Sequence, residues 1–321
     1  MRRKIRRKEK KQKKTIIVLI VFLVLFLSVG YAAFQTNVSL KAKGNVYNKG
    51  DLCYTTSDNG DGTVTIIDYD ETCGTEVNIP SKIKGKTVTK IGRVKDLNVS
   101  TVFSGKNLTK VVIPDTVTTI GYYAFWKNNI SSLDLGNGVQ KIEDEAFSGS
   151  KISSIIFPKS LKIIGAGAFM GNYLTSIPSL DNIEYGGGAF SNNNLEPEDA
   201  FIYAKNSDGS IDYTTLNSYA SKTYVKEINI PSNVKRLLYY SMRFANTSII
   251  NLPDGIEKID PGAFMQTSSI IYNIPNSITT IDATAFNQSS NITLNIARKE
   301  NAIEGSPWGA YSATVNWTGT N

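Results

Sequence analysis

Apolar and polar positions along the chain fall into a pattern that repeats every 22 residues. Over residues 108–173 it is written three times: LTKVVIPDTVTTIGYYAFWKNN, ISSLDLGNGVQKIEDEAFSGSK and ISSIIFPKSLKIIGAGAFMGNY. Each copy opens on an aliphatic residue, places apolar residues three and five positions later, and closes its apolar pattern on Ala-Phe. The Phe position recurs at Phe103, Phe125, Phe147, Phe169 and Phe190, then Met242, Phe264, Phe286 and Trp308. The steps are 22 residues, save one of 21 and one of 52, which is a repeat carrying about 30 inserted residues. A fixed period of this size predicts a solenoid, because one unit cannot bury its apolar face alone and must stack on its neighbours.

Within a repeat the segment before the proline alternates, as a strand does. The pairs Val111/Ile113, Leu133/Leu135, Ile155/Phe157, Ile228/Ile230, Ile250/Leu252, Tyr272/Ile274 and Leu294/Ile296 are expected to point inward from one continuous parallel sheet. Pro114, Pro158, Pro231, Pro253 and Pro275 sit where each strand ends and a backbone donor is dispensable. A second apolar pair, such as Val117/Ile120 or Ile256/Ile259, closes the coil. Ala124, Ala146, Ala168, Ala263 and Ala285 are small enough for coils to approach, and the Phe residues fill the axis. Each fully buried one contributes on the order of 1.5–3 kcal/mol.

One outward column is regular. Asn78, Asn229, Asn251, Asn273 and Asn295 stand two before the proline position, and the last four are spaced to hydrogen-bond through their amides. In the amino-terminal half the same column reads Val112, Asp134, Ile156 and Pro178. The candidate partner-binding face is therefore Val112, Asp134, Ile156, Asn229, Asn251 and Asn273, with the apolar members the first to test.

Residues 51–76 read as a hairpin cap, with a turn at Asp58-Asn59-Gly60-Asp61-Gly62 before β-branched residues. Calcium needs acids at alternate positions and a distal Glu, which this turn lacks. Cys53 and Cys73 are expected to pair as a disulfide, worth about 3 kcal/mol in the chain-entropy picture. The string KIKGKT lacks the first Gly of a phosphate-binding loop, its place being taken by Pro80. The insertion, residues 196–224, reads as a hairpin followed by a short helical turn. Its aromatics either pack on the solenoid or are displayed to a partner.

Residues 1–14 carry ten Lys/Arg and one Glu, so the chain's net charge of +7 belongs to this head and the remainder is about −2. No nucleic-acid partner is expected, since that needs a basic patch on the folded part. Residues 15–34 are uncharged and apolar, and the basic flank predicts export of the chain beyond them. The segment is a retained transmembrane anchor or a cleaved signal; Tyr31 disfavours cleavage after Ala33. Residues 35–50 are polar and read as a tether.

The chain has no histidine, which removes the commonest general base and zinc ligand, and two cysteines cannot build a four-cysteine site. Ser81-x-x-Lys84 and Ser148-x-x-Lys151 have a nucleophile–base spacing, and both fall in turns. Neither catalysis, a cofactor nor a metal is expected.

The string ISSIIFPKSLKIIGAGAF and the ending GSPWGA…VNW resemble the BspA-like leucine-rich repeat proteins of bacterial surfaces, over residues 77–317. The resemblance implies export, adhesion through the solenoid face, and no catalytic residues. The fold class expected is an α/β leucine-rich-repeat solenoid, β-rich, with one short parallel strand per repeat, an N-terminal transmembrane helix and a small hairpin cap. The function expected is a surface-displayed binding or adhesion module held by the cell membrane, or secreted if the signal is cleaved. Its partner is then an extracellular protein or a cell-surface or matrix component. A self-associating envelope protein is the alternative.

Overall fold

The computed structural model describes residues 40–42, 45–47, 49–92, 102–300 and 302–319. The chain divides into two compact units, residues 1–53 and 54–321. In the first, Leu40–Ala42 and Asn45–Tyr47 pair as a short antiparallel ladder inside the stretch expected as a tether, and Lys49–Cys53 is a 3-10 turn. The basic head and the apolar segment 15–34 lie outside the described residues. Among those described, no helix is long and apolar enough to cross a membrane. Neither cysteine is free: Cys53 and Cys73 are both disulfide-bonded.

The second unit is a β-solenoid. Each regular coil contributes a short strand to one column, turns at its proline, and contributes a two-residue strand to a second column. The turn is closed by a backbone bond from the residue three after the proline, as from Val117 to the Pro114 carbonyl at 3.0 Å and from Val234 to the Pro231 carbonyl at 3.0 Å. The second column runs in parallel through Lys86–Ile91, Thr119–Ile120, Lys141–Ile142, Ile163–Ile164 and Glu184–Tyr185, and later through Arg236–Leu237, Lys258–Ile259 and Thr280–Ile281. The second member of each apolar pair expected only to close the coil, such as Ile120 of Val117/Ile120 or Ile259 of Ile256/Ile259, lies in one of these two-residue strands.

The phenylalanines line up as the period requires. Phe103, Phe125, Phe147, Phe169 and Phe190 are fully buried. Their rings stack within 6° of parallel at centroid spacings of 4.8, 5.0, 5.4 and 5.9 Å in turn. Tyr69 covers the first ring at 5.0 Å. Phe264 and Phe286 continue the stack at 5.1 Å, and Trp308, also buried, closes it. Coils one hydrogen-bonding step apart place equivalent side chains about 4.8 Å apart, the distance at which flat rings touch.

Four expectations are corrected. The α/β class does not hold: among the described residues there is no α-helix, only three 3-10 turns, because the second column takes the place a helix would occupy. The first column is not continuous. Glu76–Asn78, Lys110–Val112 and Ser132–Asp134 form one sheet; Val225–Asn229, Thr247–Asn251, Ile271–Ile274, Ile292–Ile296 and Ala313–Trp317 form another; residues 152–158 and 174–180 contribute no strand to this column. Within that gap Phe157, though turned inward against Phe169 and Phe190, is only half-buried, as is Leu133 at its border. In the insertion no helical turn follows the hairpin; a 3-10 turn, Pro197–Asp199, precedes it. Its second strand, Ile211–Tyr219, pairs in parallel with Arg236–Leu237, so the insertion supplies a coil of its own.

The hairpin Tyr54–Asp58 and Thr63–Tyr69 joins the second column through Lys86–Ile91. Its acidic turn is used internally: Asp58 accepts from the Gly60 N–H and Asp61 from the Thr63 N–H, each at 2.9 Å. The KIKGKT string is a tight turn between Lys82–Ile83 and Lys86–Ile91.

Candidate functional site

The predicted binding face is the outer surface of the first column, and its two halves are built differently. In the amino-terminal half Lys110–Val112 and Ser132–Asp134 are in parallel register, with Asp134 beside Val112. Val112 is half-buried and Asp134 exposed. Asp134 accepts the Gly136 N–H at 2.9 Å, which bends the chain where other repeats carry proline. Gly136 is at φ 62°, and a Cβ there would lie 2.4 Å from the Ile113 carbonyl oxygen, so no other residue fits the bend.

Beyond Asp134 the ladder stops. The Ile113 N–H donates to Asp134 at 2.9 Å, and in the carboxy-terminal sheet Ile230 donates to Asn251 and Leu252 to Asn273, each at 3.0 Å. The equivalent bond from Leu135 to Ile156 is not made. A cleft of about 380 Å³ opens there instead, between residues 133–137 on one side and Ser154, Ile155, Ile156 and Pro158 on the other. Ile156 stands on its lip, 87% exposed. Two residues account for the gap. Phe157, where other repeats have Ile or Leu, places its ring 5.6 Å from Phe169 and 6.4 Å from Phe190. Pro178 falls on a ladder position of the next coil and has no N–H to give.

In the carboxy-terminal half the column is a ladder of amides. Nδ2 of Asn251 donates to Oδ1 of Asn229 at 2.8 Å, Asn273 to Asn251 at 2.6 Å, Asn295 to Asn273 at 3.0 Å and Asn316 to Asn295 at 2.9 Å. The Glu227 carboxylate also accepts from Asn251. Asn316 was not among the expected members, because the last step is 21 rather than 22. Asn78, expected in the same column, has Val112 beside it and no amide to join. The structure thus brings Val112 and Asp134 together, sets Ile156 apart across the cleft, and links Asn229, Asn251 and Asn273 in one chain of hydrogen bonds.

Two features were missed in the sequence. The first is a buried polar spine. Asn172 Nδ2 donates to the Phe147 and Phe169 carbonyls at 2.8 and 2.9 Å, while its Oδ1 accepts from Ile152 and Ser150. Asn128 and Asn193 do the same work in neighbouring coils, and Ser150, Thr267 and Ser289 cap one carbonyl each. The signal was there: each residue stands three after the Phe position.

The second is a cluster on the turn side of the coils. Arg243 lies 3.6 Å from the Glu145 carboxylate, with side chains 12% and 6% exposed, and Tyr123 donates to Glu145 at 2.8 Å. The Arg243 guanidinium stacks 4.4 Å over Tyr240, whose ring packs 3.6 Å from Tyr239. The chain at Tyr240 can pass close to Gly188 because that residue, at φ 66°, has no Cβ; one would come within 2.4 Å of the Tyr240 Cβ. Burial pushes the Tyr123 hydroxyl's pKa well above the ordinary tyrosine value. The sequence signal was the pairs Tyr122-Tyr123 and Tyr239-Tyr240 at one repeat position; their meeting across the intervening coils was not legible. An Arg–carboxylate pair buried among aromatic rings positions the coils, and removing one partner would strand the other's charge.

No arrangement for bond chemistry emerges at the Ser-x-x-Lys spacings: Ser148 is buried and Lys151 faces outward. Among the described residues no group of three or more His, Cys, Asp or Glu is placed to hold a metal.

The comparisons with known proteins agree with this geometry. A family model described as "BspA type Leucine rich repeat region (6 copies)" matches residues 99–207 and 198–307. A leucine-rich repeat protein from Eubacterium ventriosum is similar in structure, with 24% identity and a TM-score of 0.50 over 74% of this chain and 69% of that one. Two others overlap more loosely. A leucine-rich repeat protein from Bacteroides ovatus has 20% identity and a TM-score of 0.44 over 82% and 75% of the two chains. The pneumococcal vaccine antigen PcpA has 18% identity and a TM-score of 0.44 over 88% and 86%. No curated protein sequence matches this chain.

Proposed function

The chain belongs to the BspA-type leucine-rich repeat family, and on that footing we propose that it is a surface-displayed, non-catalytic binding module. It engages an extracellular protein or a cell-surface or matrix component through the first strand column of its amino-terminal half. The family's solenoid is generally a binding scaffold. Residues 15–34 hold it at the cell membrane with the solenoid outside, or release it if they are cleaved.

The observation that carries this reading is Ile156. A large aliphatic side chain 87% exposed, on the lip of a cleft and beside a strand, costs solubility with no structural return. Covering it removes that cost. The amide ladder of the other half has its hydrogen bonds largely satisfied along the solenoid axis and offers a partner less.

The test is capture of envelope and extracellular proteins by the full-length chain, compared with a variant carrying Val112→Ser, Asp134→Ser and Ile156→Ser. Partners should be lost from the triple variant and kept by Asn251→Ser. Equal capture by all three proteins moves the site off this face. Self-association is favoured by one observation: Ala313–Trp317 ends its sheet with an unpaired outer edge. Sedimentation of the chain alone decides it, a concentration-dependent oligomer being the supporting result.

A further inference from the structure

We propose that the cleft beside Leu133 takes an extended segment of another polypeptide as an added β-strand. This rests on the binding role above and names the form in which the partner docks.

In a parallel ladder, alternate residues turn their N–H and C=O groups to opposite edges. Ser132 donates to the Thr109 carbonyl at 3.3 Å and Asp134 accepts from Ile113 at 2.9 Å, so both face the preceding strand. Leu133 therefore faces the other way, as does the Leu135 N–H. In the other paired coils of this column, save the last strand Ala313–Trp317, the next strand fills that edge. Here Ser132–Asp134 is the last strand of its sheet, and residues 153–157 make no backbone hydrogen bond. The coils remain stacked behind the gap, Phe125 on Phe147 at 5.0 Å and Phe147 on Phe169 at 5.4 Å. The opening is thus confined to the strand side.

An edge of this kind is what strand addition uses: main-chain groups supply affinity and flanking side chains supply selectivity. Two flanking features define the occupant. Ile156 asks for an aliphatic side chain against it. The lining residues carry one charge, that of Asp134, which favours a basic residue alongside. The occupant is then an extended, largely aliphatic segment with a lysine or arginine near its start. The chain's own residues 108–114, LTKVVIP, have this composition and pair with the opposite edge of the same strand.

The test uses a synthetic peptide copying residues 108–114 and amide hydrogen exchange on the full-length chain. In the free protein the Leu133 and Leu135 amides should exchange far faster than those of Val111 and Ile113, by about a hundredfold or more. On adding the peptide to about 1 mM they should slow by about tenfold or more. A copy N-methylated at alternate residues should lose that protection. Ile156→Asp should weaken peptide binding about tenfold, and Leu133→Pro, at a residue whose N–H faces no partner, should abolish it, while Leu133→Ala, which loses the same half-buried side chain, should keep it. Leu133 and Leu135 amides already protected in the free chain would overturn the inference. So would amides left unprotected at 1 mM peptide, or an N-methylated copy that binds as well as its parent. Partner capture lost with Ile156→Asp but kept with Leu133→Pro would retain the binding face and remove strand addition.

Discussion

From Glu76 to Asp134 and from Val225 to Trp317 the same strand column is built twice, on the same interior, with opposite outer surfaces. The second stretch pairs five strands without a break and links its outward asparagines through four amide–amide bonds. The first pairs three strands, carries Val112, Asp134 and Ile156 outward, and opens at its last strand. Between them the ring spacing widens from 4.8 to 5.9 Å as the chain nears the insertion. Identity of core with difference of face means that the interior sets the coil and leaves the outer column free to vary. One half has used that freedom to satisfy its own polar groups, the other to leave some unsatisfied.

The comparison is broken most directly in the core. Phe147→Ala and Phe264→Ala should each cost about 3–5 kcal/mol in denaturant unfolding, because each leaves a ring-sized cavity in a stack. Unequal costs would mean that the halves do not share an interior. Next is the buried spine. Asn172→Ala strands two carbonyls and two N–H groups and should cost about 3 kcal/mol, against about 2 kcal/mol for Thr267→Val, which strands one carbonyl and the buried Tyr272 hydroxyl. On the outer face, Asn251→Ala breaks two rungs and should lose about 1 kcal/mol. Ile156→Asn should change stability by less than about 0.5 kcal/mol, since that side chain is already in water. A large loss at Ile156 would make it a structural residue and remove it from the binding face.

The smallest effect is in acid. Asp61 and Asp70 sit below the usual carboxylate pKa because the Thr63 and Thr72 side chains hydrogen-bond them, and Asp212 likewise because of Thr214. A lowered folded-state pKa stabilises above the unfolded value and is lost as pH falls through the folded one. Exchange at the turns of the hairpins in 54–69 and 201–219 should therefore quicken below about pH 4 while the stacked coils keep their protection. Uniform exchange across the molecule would show that the hairpins melt only with the solenoid.

Much of this was legible in the 22-residue spacing. Phe103 to Trp308 had to stack, the prolines had to end strands, and Asn229, Asn251, Asn273 and Asn295 had to meet, because a fixed period turns sequence separation into spatial adjacency. The buried asparagines were equally periodic and were passed over because a polar residue beside Phe reads as a turn until its carbonyl partners are seen. The second strand column hid for a related reason: two residues are too few to show alternation.

Residue by residue, then, the chain alone set what repeats: the coil, its core and its amide ladder, all of which depend on contacts between neighbours one period apart. Only the folded molecule decided what does not repeat. The meeting of Glu145 with Arg243, the entry of Ile211–Tyr219 into the second column and the cleft beside Leu133 depend on how several coils tilt together. That tilt is a sum of small packing differences at Phe157, Pro178 and Gly188, and no single period records it.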